Sequence, residues 1–195
     1  MKILPRVYYI FKHAINAIWA IPLVIIMRII YPFILIRVGT FNTQRVGHFV
    51  LDAAHHFIKQ HNCEAYGCDI SKEALLEAGI RAKKLNSSVN FTECSFDNLD
   101  YNDSEFDAVF CEGVLYSGSE RAFNDGIHEM YRVLRKNGIL RVYTKSSNDV
   151  WANSKNRISD DTYLVEKGYE KGMTVYCPPL DKINNSFGMF DNVKI

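Results

Sequence analysis

From Asn62 onward, short apolar runs alternate with helical periods, and that alternation is the signature of a parallel α/β sheet. EAYGCD, Glu64 to Asp69, reads as a strand ending in an acid. Ser71 then caps a helix in which Ala74, Leu75, Ala78, Ala82 and Leu85 recur at helical spacing, with Glu73 in its first turn. Val89 to Cys94 reads as the next strand. FDAVFC, Phe106 to Cys111, has the continuous apolar character of a strand covered on both faces. A second helix carries Phe123, Ile127, Met130, Tyr131 and Leu134 on one face and is expected to run into the basic residues before Gly138. Ile139 to Tyr143 is the next expected strand. CPPLDKINNSFGMF is expected to form a Pro-started helix, and DNVKI at the end a strand.

The first fifty residues have a different character. Six of the 23 basic residues precede Asp52, whereas none of the 22 acidic residues do, so the net charge of +1 hides a basic leader on an acidic body. The basic residues are interleaved with aliphatic ones, a pattern that suits a membrane surface and not nucleic acid. Ala14 to Ile36 is almost wholly apolar, interrupted by Pro22, Arg28 and Pro32. A span needs ~20 apolar residues, and an Arg at mid-bilayer is costly. The expectation is a hydrophobic helical segment, either a kinked span or shorter pieces lying in the interface with Tyr8, Tyr9, Trp19 and Tyr31 at headgroup depth. The division expected is a membrane-associating segment over 1–50 and an α/β domain over 51–195, in a cytoplasmic protein held to the membrane through its leader.

Five cysteines, at 63, 68, 94, 111 and 177, form no CxxC pair and fall mostly in apolar runs, which implies buried, reduced thiols. His55, His56, His61 and Cys63 lie close together without a standard zinc spacing, so no metal is expected.

In this order, EAYGCDIS, NFTECSFDNLDYNDSEFDAVFCEGVLY and MYRVLRKNGILRVYTK resemble the second to fifth strand regions of class I S-adenosylmethionine-dependent methyltransferases, most closely the small-molecule, type 11-like group. The resemblance runs over about residues 63–195, strongest to 147, and implies a Rossmann-like sheet. Carried over residue by residue, it implies that Asp69 binds the ribose of the cofactor and Ile70 packs on its adenine. Ser95 stands where an Asp often bonds the adenine amino group, and Phe96 would lend its backbone N–H. Glu112 and Gly113 would line the methionine portion and the acceptor mouth, with Glu112 as the catalytic carboxylate. Leu115 and Tyr116 would wall the pocket. Trp151, Tyr163, Tyr169 and Tyr176 fall in the part of the family that varies with substrate, although packing is the commoner role for such aromatics. The segment RVGTFNTQRVGHFVLDAA, with the apolar run before it, resembles over residues 16–60 the N-terminus of putative bacterial glycosyltransferases of surface polysaccharides.

One family feature is missing. Where glycines would follow the first strand, HFVLDAAHHF offers Ala53, Ala54, His55 and His56, and no two glycines in the chain are two residues apart. Only 17 positions separate Asp52 from Asp69, against ~20 from fingerprint to acid in a usual unit. The family's closing antiparallel strand also finds no residues before Ile195. The expected function is methyl transfer from S-adenosylmethionine to a small molecule, impaired in this chain. The rivals are a membrane-associated glycosyltransferase-like protein and a non-catalytic remnant of the methyltransferase fold.

Overall fold

The computed structural model describes residues 33–37, 64–167 and 171–194. Five parallel strands form the main sheet in the order β3-β2-β1-β4-β5, with β1 Phe33–Arg37, β2 Glu64–Asp69, β3 Val89–Glu93, β4 Phe106–Glu112 and β5 Leu134–Tyr143. Because all five run the same way, their carboxyl ends share one edge. The order reverses direction between β1 and β4, which makes that junction the crevice where sheets of this kind take ligands.

β1 departs from the sequence expectation. Phe33 to Ile36 close the apolar run read as a hydrophobic helical segment, yet they form the central strand, with Leu35 opposite both Tyr66 and Val109. Pro32 immediately before is suited to a strand start, where no ladder N–H is needed. The rest of that run, and the HFVLD segment, lie outside the described residues, as do the histidine cluster and Cys63. Among the described residues no helix is long and apolar enough to cross a membrane.

α1, Lys72–Lys84, follows β2. Ser71 accepts the Ala74 N–H at 3.1 Å, and Ala74, Ala78 and Ala82 are its buried face. Three alanines let the helix lie close to the sheet, while Leu76 and Ile80 face outward. α2, Glu120–Val133, is capped by Ser119 and buries Phe123, Gly126, Ile127, Met130 and Val133 against the core. Its end differs from expectation: Leu134 already pairs with Phe106, and Arg135 to Gly138 bulge out before Ile139 pairs with Ala108. Asn137 takes a positive φ of 66° in the bulge, and Arg135 pins it by donating to both carboxylate oxygens of Asp107 at 3.0 and 2.9 Å. Tyr131 is correspondingly half exposed, edge-on to Phe190.

Beyond β5 a small antiparallel sheet forms from β6 Arg157–Ser159, β7 Thr162–Leu164 and β8 Thr174–Tyr176. The expected Pro-started helix is α3, Leu180–Ser186, with Pro179 at its N-cap. The expected terminal strand is not formed over 191–194, where Asn192 at φ 57° breaks the extended run. Of the four described cysteines, Cys68, Cys111 and Cys177 are buried and Cys94 is partly so.

Candidate active site

The tip of β2 is built around Asp69. Its side chain is buried, and Oδ1 accepts the Ser71 N–H at 2.9 Å, so the turn into α1 orients the carboxylate. Ile70, one residue on, is 56% exposed, an apolar surface beside a carboxylate at the edge where ligands bind. Asp69 itself is wholly buried.

The turn after β3 lies beside this tip, since the Cys94 N–H donates to the Asp69 carbonyl at 3.2 Å. Ser95 and Asn98 close a tight turn, and the Ser95 hydroxyl donates to Asp97 Oδ1. Asp97, which the sequence reading passed over, thereby sets a carboxylate beside the Ser95 hydroxyl. The signal was an acid two residues beyond Ser95 in CSFDN. The Phe96 ring points away from this edge and sits in the hydrophobic core.

At the tip of β4, Glu112 pairs in register with Tyr143, and Gly113 takes φ 71° while its N–H donates to the Tyr143 carbonyl at 3.2 Å. Leu115, expected in a pocket wall, is instead wholly buried in the core against α2. Tyr116 is buried too, in a second cluster with Tyr163, Val165, Val175 and Cys177, and its Oη lies 3.8 Å from where a Cβ on Gly113 would stand. Its carbonyl accepts the Tyr176 N–H at 2.8 Å, and the Gly118 N–H donates to Thr174 O, which ties the small sheet to this loop.

Tyr163 and Tyr176 are buried, Tyr176 against Phe123 at 5.2 Å, so both pack. Trp151 lies edge-on to Tyr116 with centroids 5.8 Å apart. Tyr169 is outside the described residues. Burial pushes the Cys177 thiol up to about 12, leaving it protonated and unreactive. Among the described residues no group of His, Cys, Asp or Glu is arranged to hold a metal.

A parallel sheet in this order, with an acid ending β2 and a positive-φ glycine directly after β4, defines a Rossmann-like nucleoside-binding class. The family model of the methyltransferase domain matches residues 46–174, and the chain belongs to that family. The match takes in residues 46–60, the end of the segment expected to resemble a glycosyltransferase leader, and it is the methyltransferase family that is shown there. An uncharacterised protein of Haemophilus influenzae is 28% identical over 126 residues, which cover 64% of this chain and 46% of that protein, less than half the relative's length. A S-adenosylmethionine-dependent methyltransferase of Methanosarcina mazei shares the fold with a TM-score of 0.60 at 18% identity, over 79% of this chain and 76% of the other. So does the Burkholderia thailandensis 1,6-didemethyltoxoflavin-N1-methyltransferase, solved with S-adenosylhomocysteine, with a TM-score of 0.53 at 15% identity over 89% and 69% of the two chains.

Proposed function

We propose that this protein is an S-adenosylmethionine-dependent methyltransferase acting on a small molecule. The observation that carries the reading is the buried Asp69 carboxylate, oriented by the Ser71 N–H at the tip of β2 and flanked by the exposed Ile70. A carboxylate there suits the two hydroxyls of a ribose, and an aliphatic side chain beside it suits the face of a purine. Ser95 and Asp97 in the neighbouring turn supply a hydroxyl and a carboxylate for the adenine amino group. The cofactor supplies an activated methyl on a sulfonium. The chain's residues have to bind it, align the acceptor and exclude water, with Glu112 at the β4 tip receiving the acceptor's proton where the acceptor carries one.

Affinity for the cofactor is expected to be low. No two glycines near the first strand stand two residues apart, and such a pair normally lets the cofactor's amino-acid end approach the backbone. Two lost charge-assisted bonds at ~1.5 to 3 kcal/mol each weaken binding on the order of a hundredfold or more. This missing loop is also what favours the second reading, a methyltransferase fold without catalysis.

The test is titration of the parent and of Asp69→Asn with S-adenosylhomocysteine, carried into the millimolar range. The substitution is expected to weaken binding roughly 10-fold or more, as loss of a charge-assisted pair implies. Equal binding by both proteins places the nucleoside elsewhere.

A further inference from the structure

Two cysteines flank the tip of β2. Cys68 immediately precedes Asp69, and Cys94 immediately follows the end of β3, one residue before Ser95. Cys68 stands opposite Thr92 in the sheet register and Cys94 is two residues beyond Thr92, so alternation turns both thiols to one face. Cys68 is buried in the main core, and the partly exposed Cys94 packs against that core together with Tyr66 and Tyr101. Burial raises the Tyr101 phenol above its ordinary value and both thiols add to the push, so the phenol lies in the electrostatic reach of each. Cys94 is thus the thiol that solvent meets and Cys68 its buried neighbour. The other described cysteines have no such relation: Cys111 is on β4, with β1 between it and β2, and Cys177 stays protonated.

Diagonal neighbours on one face of a sheet stand roughly 7 to 8 Å apart at Cα. A disulfide spans about 4.4 to 6.8 Å, so a bridge between these two draws Cys94 inward by roughly 1 to 2 Å. Cys94 lies past the ladder and is held to β2 by its N–H, which donates to the Asp69 carbonyl at 3.2 Å. Closing the bridge therefore strains that bond and moves the turn, leaving the strands in place. The same turn carries Ser95 and Asp97. We propose that Cys68 and Cys94 are a redox-sensitive pair that forms a disulfide by exchange with a low-molecular-weight disulfide, and that its closure pulls the turn after β3 out of place and weakens nucleoside binding. The second half rests on the methyltransferase reading above. In the first step the Cys94 thiolate attacks one sulfur of the small disulfide, whose S–S bond breaks and releases one thiolate. Cys68 then attacks Cys94 Sγ and expels the other. The two thiol protons end on the two leaving thiolates, so the protein is oxidised by two electrons and the small disulfide is reduced to two thiols. Where thiols are kept reduced, a bridge of this kind is transient and reports redox state.

In the experiment the reduced full chain is incubated with glutathione disulfide, and the products are mapped by peptide mass spectrometry with fragmentation. The expected product is a Cys68–Cys94 bridge that dithiothreitol reverses. Cys68→Ser should stop at a glutathionyl group on Cys94, and Cys94→Ser should form neither product at these positions. Titration with S-adenosylhomocysteine should then show binding about 5- to 10-fold weaker in the oxidised parent than in the reduced one, the scale of one or two modest polar contacts, with affinity regained on reduction. Cys94→Ser should keep its affinity through the same treatment. A bridge to any other cysteine, or no bridge, overturns the pair. A Cys68–Cys94 bridge with unchanged affinity overturns its coupling to the nucleoside site. A reduced parent that binds no S-adenosylhomocysteine overturns the cofactor reading and the coupling together, while the peptide map still decides the pair.

Discussion

The ring of Phe96 lies so close to the bare backbone of Gly126 that a Cβ there would stand 2.5 Å from Phe96 Cδ2. The contact fixes the turn after β3 against α2, because Phe96 is 8% exposed and has core on its other sides. Gly126→Ala gains up to about 1 kcal/mol in helix propensity, but overpacking of a filled core costs about 1 to 3 kcal/mol. The net expectation is a lower thermal midpoint, by roughly 2 to 6 °C for a chain of this size. Because the pushed ring carries Ser95 and Asp97 with it, nucleoside binding should weaken as well. A variant at least as stable as the parent would mean that the ring has room to move.

Glu129 ties the same turn to α2 from outside the core. Its Oε2 accepts the Leu99 N–H at 2.8 Å, and Arg132 donates to both of its oxygens at 2.7 Å while also reaching the carbonyls of Leu99 and Tyr101. The Arg132 bonds, followed by the Leu99 N–H, hold the Glu129 carboxyl below the usual range, outweighing the upward push of burial. A carboxyl with a depressed folded-state value contributes stability above its unfolded value, ~4.3, and that stability is lost as pH falls through the folded value. Arg132 stays charged throughout, so the window belongs to Glu129. Glu129→Gln should cost about 1 to 3 kcal/mol at pH 7, with a difference from the parent that narrows below about pH 4. Urea midpoints measured from pH 7 down to pH 2.5 check this; a difference constant with pH would remove Glu129 from the acid response.

The strands and helices between Glu64 and Val133 were legible because each carried its own local signal. EAYGCD and FDAVFC are bounded apolar runs, Ser71 announces a helix by the hydroxyl that the structure places on the Ala74 N–H, and the small-residue face of α1 repeats every four positions. β1 was hidden for the opposite reason. FILIR ends a 23-residue apolar stretch, and in such a stretch composition cannot separate a strand buried on both faces from a hydrophobic helix. The early end of α2 was hidden too, since the pairing of Leu134 with Phe106 depends on a strand remote in sequence. At the site, Asp69 was legible from its place at a strand end. Lys145 and Asp149 have the spacing of an ordinary surface pair, and only the folding of the small sheet around Tyr116 and Trp151 buries them. Leu115 failed as a pocket wall because alternation along a chain does not say which side faces the ligand when both sides are covered.

The central strand itself can be tested by proline. In β1, Leu35 lies opposite Tyr66 on one side and Val109 on the other, so Phe33–Arg37 joins the two halves of the sheet. The family match begins at residue 46, nine positions beyond Arg37, and so leaves this strand to residues the family model does not include. Counted from Arg37, 32 positions lead to Asp69, more than the ~20 of a usual strand-loop-helix unit, just as the 17 from Asp52 are fewer. Leu35→Pro removes a ladder N–H from the middle of the sheet and sets a ring against its neighbours, a loss of about 3 kcal/mol or more out of a total of roughly 5 to 15 kcal/mol. It should therefore abolish or severely weaken cooperative unfolding in urea, and Val50→Pro, in HFVLD, should do less. The reverse ranking, a stable Leu35→Pro beside an unfolded Val50→Pro, would give the centre of the sheet to HFVLD.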